Sequence, residues 1–91
     1  MPVTLRLPTV LAKAAGGQTV HEAKGATVGD VVQDVSTRFP ELAPRLRDAK
    51  GEPYPYVIFY VDDEDIRFQK GFQTPVADGA EIVVVPAIAG G

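Results

Sequence analysis

The sequence of 91 residues finishes with Gly90 and Gly91, reached through the apolar run VVVPAIA from Val83 to Ala89. Neither glycine has a side chain to pack, cap or pair, so either they are an incidental frayed end or the group they present is the backbone carboxylate of Gly91. With a reference pKa of about 3.5, that group is an anion at neutral pH and a poor acyl donor. Any reaction at it needs prior activation. Gly90, without a Cβ, permits close approach and φ values closed to other residues. The side chains offer little competing chemistry. The chain has no cysteine, which removes disulfides, thiolate nucleophiles and thiolate metal ligands together, so sulfur chemistry here cannot use a side-chain thiol.

Three other candidates carry less. His21 is the single histidine; with no serine or cysteine beside it to form a nucleophile–base pair, it reads as a solvated strand residue. The cluster Asp62-Asp63-Glu64-Asp65 invites a calcium reading. An EF-hand-type loop needs ligands spread over about 12 residues and a glycine at the sixth, where this chain has Arg67. The cluster reads as an acidic turn, open to a basic patch on a partner. Gly16-Gly17 is followed by no Lys-Ser/Thr pair and does not open a capped helix, so it reads as a loop rather than a phosphate cradle.

The elements that position the tail follow from periodicity. Val3, Leu5 and Leu7 alternate with Thr4 and Arg6, the period of a half-buried strand ending at Pro8. A connection through Gly16-Gly17 leads to Gln18–Lys24 (QTVHEAK), the expected second arm of a hairpin. Thr27 is a good N-cap and Asp30 completes a capping-box-like pattern. Val28, Val31, Val32, Val35 and Phe39 then fall at helical spacing until Pro40. Valines have weak helix propensity, so packing of that stripe on a sheet must stabilise the helix. Pro40 to Pro55 (PELAPRLRDAKGEPYP) reads as surface loop, with one helical turn anchored by Leu42 and Leu46.

Tyr56 to Val61 (YVIFYV) is the central-strand candidate, closed by the acidic turn, and Ile66–Gln69 is expected to form a short strand. Asp78-Gly79 signals a turn before the last strand, Glu81–Pro86, whose continuous apolar run suggests burial on more than one side. If Val57, Phe59 and Val61 face the helix, Tyr56, Ile58 and Tyr60 face away. By the same alternation Ile82 and Val84 point inward and Val83 and Val85 outward. Ile58, Tyr60, Val83 and Val85 would then form an apolar docking patch, provided the insert after the helix does not fold over it.

Composition narrows the class. A hydrophobic content of 45% and a formal charge of −3 fit one compact α+β domain with its own core. The expected division is a folded unit over 1–86 and a flexible tail over 87–91, without repeats or low-complexity segments. Nine scattered basic residues argue against nucleic acid as partner. No apolar run approaches the ~20 residues of a membrane span and no signal-type segment opens the sequence, so a cytoplasmic, monomeric protein is expected.

The order of elements, with one main helix across a mixed sheet of four to five strands and a last strand running into Gly-Gly, resembles the ubiquitin-like β-grasp. More narrowly it resembles the ThiS/MoaD sulfur carriers. The hairpin VTLRLPTVL through GGQ, the helix start ATVGDVV, the segment YVIFYVDDEDIRF and the ending VADGAEIVVVPAIAGG carry the likeness over the whole chain. The proline-rich insert and the Pro-Ala-Ile-Ala-Gly-Gly ending look most like the CysO-type carriers of actinobacterial cysteine synthesis.

The resemblance implies a protein co-substrate rather than an enzyme, with no bound cofactor. A ubiquitin-activating-type (MoeB/ThiF-like) partner would adenylate the Gly91 carboxylate with ATP, and a sulfur nucleophile would displace AMP to leave a thiocarboxylate. A downstream synthase would accept the sulfur for cysteine, a cofactor or another metabolite. Gly91 would be the reacting group and Gly90 its access residue, while Ala87, Ile88 and Ala89 would lengthen the reach into the partner. Two alternatives stay open: a ubiquitin-like modifier joined to lysines through the same glycine, and a non-covalent β-grasp binding module.

Overall fold

The computed structural model describes residues 2–87. Five strands form one mixed sheet: β1 (Val3–Arg6), β2 (Val20–Ala23), β3 (Val57–Val61), β4 (Glu64–Asp65) and β5 (Glu81–Pro86). Their spatial order is β2-β1-β5-β3-β4. β5 runs parallel to β1 and antiparallel to β3, so the last strand of the sequence is the middle strand of the sheet. The segment read as central, β3, is its neighbour. Sequence order cannot reveal this, because the central place is filled only when the chain returns.

One long helix, α2 (Val28–Arg38), supplies the apolar stripe that covers the sheet. Its start follows the expected chemistry: Thr27 Oγ1 accepts from the Asp30 N–H at 3.1 Å, while Asp30 Oδ2 reaches back to accept from the Ala26 N–H at 3.3 Å. Val28, Val31, Val32 and Val35 are fully buried in one core with Leu5, Phe59 and Ile82. Gly25 is required where the chain turns into α2. A Cβ there would lie 2.7 Å from Asp30 Cβ and 2.8 Å from the Val31 nitrogen, so any side chain would push the segment off the helix.

The insert does what its two leucines suggest. Leu42 and Leu46 are fully buried, and α3 (Ala43–Leu46) is the single helical turn they anchor, packed beside α2. The outer sheet face stays open, with Val85 36% exposed. Thus the apolar run of β5 is buried on one side only; Ile82 and Val84 pack inward, and Val83 and Val85 remain accessible.

Three further expectations are corrected. Between β1 and β2 lies α1 (Thr9–Ala12), continued by a 3-10 turn over Lys13–Ala15, rather than a plain loop; Leu11, Ala12 and Ala15 bury its inner side. Ile66–Phe68 is a 3-10 turn and not a strand, because Asp65 accepts from the Arg67 N–H at 2.8 Å and winds the chain while Ile66 plugs into the core. His21 is buried at 5% exposure, edge-on to Phe39 at 5.2 Å. Its Nε2 is 2.7 Å from the Gln18 carbonyl oxygen, and because a carbonyl can only accept, Nε2 carries the hydrogen and donates. The alternation of β2 puts His21 and Ala23 inside and Val20 and Glu22 outside, so the imidazole is a core group.

The acidic cluster divides into separate structural roles. Asp62 and Asp63 both have positive φ, 47° and 73°, as a two-residue hairpin between β3 and β4 requires. Asp62 Oδ1 also accepts from the Glu81 N–H at 3.0 Å, and the Asp62 N–H donates to the Glu81 carbonyl at 2.9 Å, tying the turn to the start of β5.

Candidate docking face and carrier tail

The strand register brings together the four residues read as a patch. Ile58 stands opposite Val85 and Tyr60 opposite Val83 in the β3–β5 ladder. Residues directly opposite share a face. Val57, Phe59 and Val61 of the same strand are buried against the helix side, so the four outward side chains form one contiguous strip across the two strands. Ile58, Tyr60 and Val83 are half-buried and Val85 is exposed.

Two ion pairs flank the strip. On the β1 side Arg6, which is the register partner of Val83, pairs with Glu81. On the β4 side Asp65, the register partner of Tyr60, is gripped by Arg67: Nη2 lies 2.6 Å from Oδ2, and Nε lies 3.0 Å and 3.1 Å from the two carboxylate oxygens. The Arg67 side-chain hydrogen bonds hold the Asp65 carboxyl below the usual carboxylate range. An apolar centre with a charged rim is the anatomy of a protein-binding surface. Of these flanking residues, Asp65 lies in the acidic turn read as open to a partner, whereas Arg6, Glu81 and Arg67 were missed by sequence reasoning, although Arg6 follows from continuing the outward alternation of β1 past Thr4.

The tail leaves from this strip. The Ala87 N–H donates to the Tyr56 carbonyl at 2.9 Å, so the ladder runs one residue past β5 and into the segment assigned to the tail. Pro86 tolerates this place because it lies beyond the last β1 pairing, Arg6 with Val83, where its missing N–H forgoes no ladder bond. Tyr56, with its ring 5.3 Å from that of Tyr54, stands exposed beside the exit. Ile88, Ala89, Gly90 and Gly91 lie outside the described residues. Among the described residues no helix is long and apolar enough to cross a membrane.

A model of the ThiS family matches residues 5–91, from β1 through the final glycine. The chain belongs to the ThiS family. Its likeness to the CysO-type members is equally direct: it is 40% identical to the sulfur carrier protein CysO of Mycobacterium tuberculosis over 93 aligned residues, covering all of both chains. Among solved structures, a chain of the Amycolatopsis orientalis BexX/CysO complex superposes with a TM-score of 0.90 at 39% identity, covering 98% of this chain and 99% of that one. The fold of this ThiS-family chain is therefore the ubiquitin-like β-grasp. A more distant relative, small archaeal modifier protein 3 of Haloferax volcanii, is 29% identical over the full length of both.

Proposed function

We propose that the protein is a sulfur carrier, a co-substrate whose Gly91 carboxylate is activated by a partner and converted to a thiocarboxylate. The observation that carries this reading is the full-length identity to CysO sulfur carriers, with the family match running through Gly91 itself. A carboxylate oxygen of Gly91 attacks the α-phosphate of ATP held by the adenylating partner and pyrophosphate leaves. A sulfide-level nucleophile then adds to the acyl carbon, AMP leaves, and the oxygen of the broken bond departs with it. ATP is the substrate of the proposed partner, and the proposed reaction is cytoplasmic.

The chain's own contribution is positional. Ile58, Tyr60, Val83 and Val85 dock on the activating enzyme, and Ala87 to Gly90 carry the terminus from that contact into the active site. A thiocarboxylate is ionised and nucleophilic at neutral pH, so it supplies the sulfur nucleophile that a chain without cysteine otherwise lacks. The receiving synthase fixes the product, and the CysO likeness points to cysteine.

The decisive test is intact mass spectrometry after incubation with the host's adenylating enzyme, ATP and sulfide. Replacement of one terminal oxygen by sulfur is expected; an unchanged mass, with a known carrier converted in parallel, overturns the proposal. The Haloferax modifier relative supports a second use, conjugation to lysines through the same activated Gly91. Isopeptide-linked products in the same spectra would reveal it.

A further inference from the structure

Among the described residues, the outermost strand on one side of the sheet, β2, pairs with no strand but β1. The Leu7 N–H donates to the Thr19 carbonyl at 2.7 Å, one step past the Arg6–Val20 pairing. Backbone groups alternate in direction along a strand, so Thr19, His21 and Ala23 aim theirs at β1 while Val20, Glu22 and Lys24 aim theirs outward. An open row of this kind is a template for pairing with another chain.

Two of the outward groups are already occupied by side chains of α2. The Glu22 carbonyl accepts from Arg38 Nη2 at 2.7 Å, and the Lys24 N–H donates to Asp34 Oδ2 at 2.9 Å. Asp34 and Arg38 lie one helical turn apart, with Oδ2 and Nη2 3.6 Å from each other. In a parallel ladder a single residue opposite Ala23 would bond these same two groups, its N–H to Glu22 and its carbonyl to Lys24. The side-chain couple therefore fills the place of one residue of a sixth strand.

We propose that Asp34 and Arg38 guard the β2 edge against pairing with β2 of a second copy of this chain. The edge is self-complementary in one two-fold register. With Ala23 on the axis, Glu22 of each copy stands opposite Lys24 of the other in an antiparallel pair, giving two cross-strand opposite-charge contacts. That register exchanges two main-chain bonds at each Glu22–Lys24 pair, and one of the two runs from the Lys24 N–H to the opposite Glu22 carbonyl, the two groups the guard holds. An arriving copy would have to exchange charge-assisted bonds for neutral ones, and charge-assisted bonds are about twice as strong.

The test compares the parent protein with the Asp34→Ala/Arg38→Ala double variant by sedimentation velocity over a concentration series. The double variant is expected to dimerise with an association constant raised about tenfold or more. Adding Lys24→Glu, which sets glutamate opposite glutamate, is expected to reverse this. Circular dichroism checks that each variant is folded. Should the double variant not fold, Arg38→Met, which keeps an aliphatic stem near Phe39 and frees the Glu22 carbonyl, is held to the same criteria. A folded variant that sediments like the parent at every concentration overturns the proposal, as does a dimer that survives Lys24→Glu.

Discussion

Tyr60 stands directly opposite Val83 across the β3–β5 ladder, with both side chains on the sheet face away from α2. Because neither packs in the core, a charge at either position disturbs a partner far more than the fold. Tyr60→Asp or Val83→Asp is expected to weaken binding to the activating enzyme at least tenfold, about 1.4 kcal/mol, with little change in thermal midpoint. Calorimetric titration beside a melting curve checks both parts. Unchanged affinity would remove this face from the docking surface.

In the proposed carrier reaction, the tail separates recognition from reaction. Deleting Gly91 is expected to abolish adenylate formation while leaving affinity for the activating enzyme within about tenfold, since docking rests on the sheet. Gly90→Val should act similarly, because a branched side chain fills the channel and restricts the backbone. ATP–pyrophosphate exchange on both variants is the measurement. Normal exchange by the deletion variant would show that the Gly91 carboxylate is not the reacting group.

The Asp65–Arg67 pair gives a signed pH dependence. Hydrogen bonds from the Arg67 side chain lower the folded-state pKa of Asp65 below its ordinary 3.8. The resulting stabilisation is present above that ordinary value and is lost as the pH falls through the depressed one. Arg67→Gln is therefore expected to be less stable than the parent at about pH 6 and to converge on it at a pH below the depressed value, where the carboxyl is protonated in both. Because Arg67 is largely exposed, added salt should shrink the difference at pH 6. Urea unfolding at the two pH values decides it; a gap that persists in acid would mean that Arg67 acts through packing near Phe68 instead.

The parts of this protein legible in its sequence are those governed by near neighbours. Thr27 and Asp30 start α2 because cap and partner are three residues apart. Val57, Phe59 and Val61 announce their buried face because side-chain direction in a strand repeats every two residues. Leu42 and Leu46, one turn apart, were enough to anchor α3. From such local rules came the order of elements and the outward strip of Ile58, Tyr60, Val83 and Val85, whereas the β-grasp and the expectation that Gly91 carries the chemistry came from the resemblance to the sulfur carriers.

Only the tertiary structure decided what depends on which strand lies beside which. The middle place of β5, the burial of His21 against Phe39, the Arg6–Glu81 pair on the rim, and the closing of the β2 edge by Asp34 and Arg38 all join residues distant in sequence or reverse a local preference. Val20 looks like a core residue and His21 like a surface one, yet β2 turns the first outward and the second inward. The register set by β1 and the return of α2 over the sheet, contacts no short window of sequence contains, fix the face.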